Sequence, residues 1–265
     1  MKQEKRKKRL AIAGCGFLGN ILMDAWKNGL LPEYEIVGVL GRNEKRATFM
    51  AAKAGCPVCK NIQELLEQNP DYVAEMASVQ LVREIAKPVL CHGANLVVLS
   101  VGAFAEEAFY EEISQVAREQ GTHVHIASGA IGGFDVLRTI SLMGQIKTEM
   151  VTHKGPVSLK NTPVFKESLL ESQKEEEVFA GNTQEAIKLL PTKVNVSIAA
   201  SLATAGTKKT NYSIVSVPGM TGDDHRITAE IEGVKAVVDI YSGTSAIAAW
   251  SVVALLKNLV SPIMF

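Results

Sequence analysis

The segment LAIAGCGFLGN, residues 10–20, places an apolar run directly before a glycine-rich loop and a helical pattern. Gly14, Gly16 and Gly19 have the spacing G-x-G-x-x-G. In a dinucleotide-binding unit the first glycine permits a tight turn, the second lets the backbone approach a pyrophosphate, and the third allows close packing of helix on strand. The N-terminus of the helix then faces the phosphates. The segment therefore predicts a nucleotide-binding strand, loop and helix.

Further apolar runs follow this unit and alternate with longer segments whose apolar residues have helical spacing. Predicted strands lie at 10–15, 34–40, 71–77, 95–101 and 123–128, and predicted helices at 18–29, 43–54, 61–68, 78–92 and 106–120. Strands alternating with helices form a parallel sheet covered on both faces. We therefore predict an α/β fold whose first domain, residues 1–145, is a Rossmann dinucleotide-binding domain.

The pattern changes after about residue 145. Apolar and polar residues alternate, as in antiparallel strands with one exposed face, at 146–155, 211–219, 226–233 and 235–243, with a hairpin turn at 231–235. Helices are predicted at 182–190, 194–206 and 244–258, and the acidic segment 166–178 is expected to cross the surface between elements. These patterns predict a second, α+β domain, residues 146–265, on a mostly antiparallel sheet, its last helix free to pack back on the first domain.

Charge and hydropathy exclude several classes of partner. Lys and Arg total 28 and Asp and Glu total 28, so no net field attracts nucleic acid, and the basic run 2–9 is expected to be a solvated lead-in. The longest uncharged run, 240–256, is shorter than the roughly 20 residues of a membrane helix, and no signal peptide pattern is present. We expect a soluble, cytoplasmic protein whose partner is a small molecule.

Neither the cysteines nor the histidines form a convincing metal site. Cys56 and Cys59 have C-x-x-C spacing but lack a clear second pair of ligands, so reduced thiols are expected at 15, 56, 59 and 91. His123 and His125 would share one strand face, and with His153 they would suggest a metal, but no carboxylate or cysteine completes the set. We predict no metal.

The end of the second predicted strand bears on the choice between NAD and NADP. Gly41, Arg42 and Asn43 stand where an Asp or Glu would hold the ribose hydroxyls of NAD. Arg42 is able to stack on adenine or pair with a 2′-phosphate, while Glu44 remains within reach of the ribose. We expect NADP to be accepted, alongside NAD.

Several segments together resemble the L-aspartate dehydrogenase family, in the same order along the chain. They are AIAGCGFLGN (11–20), LVVLSVGAFA (96–105), ASGAIGGFDVLRTI (127–140), EVFAGNTQEAIKLLPTKVNVSIAASLA (177–203) and the region of His225. The resemblance implies a Rossmann domain followed by a dimer-forming catalytic domain with an open-faced sheet. It also implies oxidation of L-aspartate with NAD or NADP to iminoaspartate, a precursor for quinolinate and hence NAD synthesis.

The resemblance also assigns residues. The phosphate loop corresponds to Gly14, Gly16 and Gly19, with Phe17 and Leu18 between them. Ala130 and Asn195 match the positions beside the nicotinamide, and His225 matches the active-site histidine. Around His225 the family has a segment like N-x-H-E-I, whereas this chain has Asp224 and Arg226 as the flanking residues, so the identity of the substrate stays open.

A histidine suits the proton transfer that such a reaction requires. Hydride leaves an amino-bearing carbon only when the amine is neutral, and a base with a pKa near neutrality helps that step. His225 is the candidate, with Asp223 and Asp224 expected to raise its pKa or orient its ring. Substrate carboxylates would need cations or a helix N-terminus; the candidates are Lys154, Lys208, Lys209, Arg226, Thr244 and Ser245.

Two alternatives remain at this point. One is an NAD(P)-dependent dehydrogenase or reductase of another amino or imino acid on the same fold. A thiol-dependent aldehyde dehydrogenase is disfavoured because every cysteine precedes residue 92. The other alternative is a catalytically silent nucleotide-sensing protein. A homodimer is expected from the family resemblance.

Overall fold

The structure is a computed structural model and describes residues 6–191 and 194–265 of the chain. Residues 2–5 of the basic run, and 192 and 193 of the segment 177–203, lie outside the described residues. The described residues up to Ala127 form one compact unit with Ala248–Phe265, and the described residues of Ser128–Ile247 form a second. The division thus falls after Ala127 and not after residue 145, because α6 (Phe134–Leu142) packs on strands of the second unit.

The first unit is built on a six-stranded parallel sheet among the described residues, with strand order β3-β2-β1-β4-β5-β6. Its strands are β1 (Lys8–Ala13), β2 (Tyr34–Leu40), β3 (Val58–Cys59), β4 (Tyr72–Glu75), β5 (Asn95–Val98) and β6 (Val124–Ile126). The order reverses beside β1, and ligands of open α/β sheets bind at such a reversal, beyond the carboxyl ends of the strands.

Five helices connect these strands in the described part of the first unit: α1 (Phe17–Lys27), α2 (Glu44–Ala54), α3 (Ile62–Leu66), α4 (Val79–Cys91) and α5 (Glu107–Gln120). Side-chain oxygens of Asn43, Asn61 and Ser78 accept hydrogen bonds from backbone N–H groups in the first turns of α2, α3 and α4. Gly55 and Gly121 adopt the left-handed conformation that ends α2 and α5. The predicted alternation of strands and helices is confirmed.

The core of the first unit surrounds β1, in which Leu10 and Ile12 have no exposed surface. A parallel sheet covered on both faces needs such near-continuous apolar strands. The last helix, α9 (Ala246–Val260), contributes Val252 and Leu256 to the same core. The hydroxyl of the buried Tyr34 donates a 2.8 Å hydrogen bond to the Leu256 carbonyl, so a distant segment of chain completes this core.

The second unit carries a five-stranded sheet in the described residues, with strand order β11-β10-β7-β9-β8. Its strands are β7 (Lys147–Lys154), β8 (Glu176–Asn182), β9 (Thr210–Ser216), β10 (Asp223–Ile231) and β11 (Val234–Ser242), with helices α7 (Thr183–Leu189) and α8 (Asn195–Leu202). Only β7 and β9 pair in parallel, so the mostly antiparallel sheet is confirmed. Gly233, with φ of 78°, forms the predicted turn between β10 and β11.

Several elements differ from the sequence expectations. Most residues of the acidic segment 166–178 are exposed, as expected for a segment that crosses the surface, but it also contains a short 3-10 helix, Glu167–Leu170, and enters β8 at Glu176. β3 and α6 were not predicted. β3 has two residues and β8 is an edge strand whose side chains are partly exposed, so neither leaves a strong apolar periodicity.

Candidate functional site

The glycine loop of the first unit has the geometry that its spacing predicts. Gly14 has φ of 134°, and a Cβ there would lie 2.6 Å from the Met76 carbonyl oxygen. A Cβ on Gly19 would overlap the carbonyl oxygen of Gly14. Gly16 has no atom within 4 Å of the place where a Cβ would stand. The loop is therefore closed on its protein side and open above Gly16, where a phosphate group can approach the backbone.

A cavity of about 590 Å³ lies beside this loop, wholly within the first unit. Gly16, Asn43, Asn61 and Ser78 line it, and they precede α1, α2, α3 and α4, so four helix N-termini meet there. Backbone N–H groups at helix N-termini bind anions. Further lining residues are Gly14, Cys15, Leu40, Gly41, Arg42, Arg46, Lys60, Ile62, Met76, Ala77, Gln80, Leu81, Glu84 and Ile85. These residues fit the adenosine diphosphate part of a dinucleotide.

Of the two residues predicted to contact the adenosine ribose, only Arg42 lies at the cavity. Arg42 lines the cavity, whereas Glu44, the alternative ribose contact, is not among its lining residues. Phe17 is 62% exposed and Leu18 is half-buried. Phe17 and Leu18 form the first turn of α1, so their backbone N–H groups face the same end of the helix as Gly16.

Glu75 holds two residues that line this cavity, Ala77 and Ser78, through hydrogen bonds. The sequence did not lead us to predict this role. Glu75 is the last residue of β4 and has no exposed surface. Its Oε1 accepts hydrogen bonds from Ala77 N (2.7 Å), Ser78 N (2.8 Å) and Ser100 Oγ (2.9 Å), and its Oε2 accepts one from Ser100 N (3.0 Å). Burial raises the pKa of Glu75 against the opposing effect of these bonds. A charged residue inside the apolar run 71–77 was the available signal.

His225 lies in the second unit, on β10, the strand next to the edge strand β11, and is 2% exposed. Its Nδ1 is 3.0 Å from Oγ1 of Thr152, which stands opposite it on β7. The buried Tyr212 on β9 donates its hydroxyl to the same Thr152 oxygen at 3.2 Å. Burial raises the pKa of Tyr212, so this hydroxyl stays protonated. The imidazole is therefore anchored through one ring nitrogen by two hydroxyl side chains.

The pKa of His225 is lowered from 6.5 to about 4, mainly by burial and then by the nearby ammonium of Lys154, while Asp223 opposes the shift. Acidic neighbours were expected to raise this pKa. The expectation failed because desolvation of a cation inside a sheet outweighs one carboxylate that is itself paired with Lys154. His225 is therefore uncharged at neutral pH.

Lys154 is 5% exposed and lies on the same sheet face as His225. Its Nζ donates to Oδ2 of Asp223 at 2.5 Å, across the β7–β10 ladder. Thr152 and Lys154 are two residues apart on β7, as are Asp223 and His225 on β10, and alternate residues of a strand share a face. The structure thus brings the predicted Lys154 together with the predicted His225.

Arg226 and Asp224 point to the opposite face. Arg226 is exposed and pairs with Asp239 on β11 at 3.1 Å. Asp224 lies 3.6 Å from the imidazole of His153. Both side chains are therefore on the sheet face opposite to that of His225. The two positions that depart from the family pattern therefore do not adjoin the histidine's ring, and the structure gives no support to Arg226 as a substrate contact.

The loop that contains Ala130 lies against β11 within the second unit. A Cβ on Gly132 would lie 3.7 Å from Cδ1 of Ile240, and Ile240 stands directly opposite His225 in the β10–β11 ladder. Ala130 is half-buried in this loop. Asn195 is the first residue of α8. Both positions therefore belong to the same unit as the histidine.

The remaining substrate candidates are placed less favourably. Lys208 and Lys209 are exposed and precede β9 at its Thr210 end, whereas His225 and Lys154 lie towards the other end of the sheet. Thr244 Oγ1 accepts a hydrogen bond from Ala246 N at 3.2 Å, which is a capping contact at the start of α9. Ser245 is exposed.

Residues 6–191 and 194–265 contain no group of three or more His, Cys, Asp or Glu side chains arranged to hold a metal ion. The four cysteines, all within this part of the chain, are free thiols. Among the same residues no helix has both the length and the apolar character needed to cross a membrane.

Two family models, curated relatives and a solved structure match this chain. A family model described as "Aspartate dehydrogenase, C-terminal" matches residues 135–259, and one described as "Homoserine dehydrogenase, NAD binding domain" matches residues 14–127. L-aspartate dehydrogenases of Methanocaldococcus jannaschii and Methanosarcina acetivorans are 29% and 31% identical, each over 96% of this chain and 98% of the relative. The crystal structure of aspartate dehydrogenase from Thermotoga maritima superposes with a TM-score of 0.80 at 27% identity, covering 97% of this chain and 99% of that one.

Proposed function

The chain belongs to the L-aspartate dehydrogenase family of NAD(P)-dependent amino-acid dehydrogenases, and on that premise we propose that it interconverts L-aspartate and iminoaspartate, with His225 as the catalytic base. The observation that carries the proposal is the buried imidazole of His225, uncharged at neutral pH, held through Nδ1 on the same sheet face as Lys154. The substrate is taken from the names of the relatives, which match this chain over nearly its full length.

The reaction removes a hydride from the α-carbon of aspartate and one proton from its ammonium group. The nitrogen lone pair released by deprotonation becomes the second bond of the C=N group as the hydride leaves. Nε2 of His225 accepts that proton, because Nδ1 is engaged with Thr152. When bound, the nicotinamide supplies the electrophile that takes the hydride.

This role fixes the tautomer of His225. For Nε2 to accept a proton, Nδ1 must carry the ring hydrogen and donate it to Thr152 Oγ1. A hydroxyl oxygen has two lone pairs, so Thr152 can accept from His225 and from Tyr212 together. Tyr212 keeps its proton and donates it to the Thr152 oxygen, which favours this arrangement.

Lys154 is our candidate for contact with a substrate carboxylate. Its ammonium is buried beside the imidazole and balanced by Asp223. A dicarboxylate bound on this face would add negative charge next to His225 and raise the pKa of the imidazole from its low value. The base would then be stronger in the complex than in the free protein. Ala130 and Asn195 are proposed to contact the nicotinamide, on the resemblance alone.

We further propose that the iminoaspartate serves NAD biosynthesis and that the protein is a cytoplasmic homodimer. The support for these statements is the family resemblance, and they stay predictions. Iminoaspartate hydrolyses in water, so a reaction that condenses this imine would have to follow closely. Gel filtration with light scattering tests the dimer.

The experiment that tests the activity measures the initial rate of NAD+ and NADP+ reduction with L-aspartate, D-aspartate and a panel of other amino acids. We compare the wild type with His225→Ala and with His92→Ala, an exposed histidine at the end of α4. We expect turnover with L-aspartate that falls by at least about 100-fold in His225→Ala and is unchanged in His92→Ala.

Three outcomes would overturn the proposal. Turnover with another amino acid but not with L-aspartate would assign a different substrate to the same site. Absence of turnover with every substrate, while nucleotide binding persists, would favour a nucleotide-sensing protein. Retained activity in His225→Ala would remove the histidine from the chemistry.

A further inference from the structure

The end of β2 is closed to an acidic side chain by Cys15. Gly41 follows the last residue of this strand, and a Cβ at Gly41 would overlap Cys15 Sγ and lie 3.0 Å from Cys15 Cβ. Cys15 is 6% exposed, and its thiol contacts the Leu40 carbonyl at 3.5 Å. Burial raises the pKa of this thiol to about 11, so it stays uncharged. Position 41 therefore cannot carry the carboxylate that would hold the ribose hydroxyls of NAD.

The next two positions do not supply a carboxylate either. Asn43 uses its side-chain oxygen to accept a 3.0 Å hydrogen bond from Arg46 N, as the N-cap of α2. Arg42, the residue between Gly41 and Asn43, is a cation and lines the cavity. The part of the cavity that would receive the adenosine ribose thus meets a cation where NAD-specific sites have an acid.

Two further cations line the same cavity. Arg46 lies four residues after Arg42, and Lys60 directly follows β3 at the neighbouring strand end. In the part of the chain that the structure describes, Arg42, Arg46 and Lys60 enter no ion pair with a carboxylate. Glu84 is the acidic residue among those lining the cavity, and it accepts a 2.8 Å hydrogen bond from Gln80 Nε2.

We propose that Arg42, Arg46 and Lys60 form a subsite for the 2′-phosphate of NADP, and that this chain binds NADP in preference to NAD. The proposal rests on the proposed function only in that both use a nicotinamide dinucleotide. Guanidinium groups bind phosphate oxygens through paired N–H donors, and a lysine adds a point charge. The 2′-hydroxyl of NAD would leave three cations together without an anion, which favours the phosphorylated dinucleotide.

The experiment is isothermal titration calorimetry of the full-length protein with NADP+, NAD+, 2′,5′-ADP and 5′-AMP. The variants are Arg42→Ala, Arg46→Ala and Lys60→Ala, with Lys45→Ala as the matched control. Lys45 is an exposed cation between the two arginines that does not line the cavity. All four replaced side chains are exposed, so the fold should persist, and thermal unfolding of each variant checks it.

We expect the wild type to bind NADP+ at least about tenfold more tightly than NAD+. It should likewise bind 2′,5′-ADP more tightly than 5′-AMP. Arg42→Ala and Arg46→Ala should weaken NADP+ binding by about tenfold and Lys60→Ala by less, with little change for NAD+. Lys45→Ala should weaken neither by more than about twofold.

Equal or tighter binding of NAD+ by the wild type would overturn the subsite. So would variants that weaken both dinucleotides equally, or a Lys45→Ala effect as large as that of Arg42→Ala. These readouts do not require turnover of aspartate. Selective NADP+ binding without aspartate oxidation would support the subsite and contradict the proposed function. Aspartate oxidation with tighter binding of NAD+ would support the proposed function and contradict the subsite.

Discussion

Thr152 Oγ1 and His225 Nδ1 lie 3.0 Å apart, on residues that stand directly opposite each other in the β7–β10 ladder. The strand register therefore decides which ring nitrogen of the histidine is hydrogen-bonded to Thr152. Slipping the register by one residue would turn one of the two side chains to the other face of the sheet. The hydrogen bond thus connects the pairing of two strands to the chemistry of one imidazole.

Removing the Thr152 hydroxyl should affect catalysis more than folding. Thr152→Val keeps the shape but takes away the acceptor of the Nδ1 hydrogen, so we expect kcat for aspartate oxidation to fall about 10- to 100-fold with little change in KM. Thr152→Ser restores the hydroxyl and should recover most of the rate. Initial-rate measurements across pH check this, and equal losses in both variants would indicate a packing role instead.

The lowered pKa of His225 predicts a specific pH dependence of stability. The unfolded chain binds a proton at this residue below pH 6.5, whereas the folded chain binds one only near pH 4. The contribution is therefore complete above pH 6.5 and is lost as the pH falls towards about 4, with an upper size of about 3 kcal/mol. Urea unfolding of the wild type over this range should show a steeper loss of stability than in His225→Asn.

The control for that experiment is His92→Asn, which should leave the pH profile of the free energy of unfolding unchanged. His92 is exposed at the end of α4. His125 also has a lowered pKa because of burial, so the comparison uses the difference between wild type and variant and not the total slope. Parallel profiles for wild type and His225→Asn would contradict the prediction.

Glu75 should matter for both stability and nucleotide affinity. Glu75→Gln replaces one acceptor oxygen by an NH2 group facing donors, so we expect a loss of about 1–3 kcal/mol in the free energy of unfolding. Ala77 and Ser78 line the cavity and depend on this carboxylate, and the Kd for NADP+ should rise several-fold. Ser100→Ala, which removes one of four donors, should have a smaller effect on both quantities. An unchanged stability of Glu75→Gln would show that the bonds contribute little.

The glycine loop allows a paired test of binding against folding. Gly16→Ala adds a methyl group into open space, so the melting temperature should change little while dinucleotide binding weakens. Gly19→Ala adds a methyl group that overlaps the Gly14 carbonyl oxygen, so it should destabilise the fold. Differential scanning calorimetry with and without NADP+ separates the two effects. Similar melting temperatures for the two variants would contradict the assigned roles.

The sequence by itself determined the main features of the nucleotide-binding unit. Residues 10–20 encode strand, loop and helix in one continuous segment, and Gly14, Gly16 and Gly19 act on backbone atoms within a few residues of themselves. Such local geometry can be read from spacing. The absence of an acid after β2 could be read in the same way, and Arg42 lines the cavity as that reading anticipated.

The surroundings of His225 were decided only by the tertiary structure. Asp224 and Arg226 are its neighbours in the chain, yet both leave its face because successive residues of a strand point to opposite sides. Thr152 and Tyr212, which do hold the ring, come from strands more than ten residues away along the chain. Their approach depends on strand order and register, and the burial that lowers the pKa of His225 arises only once the sheet is assembled.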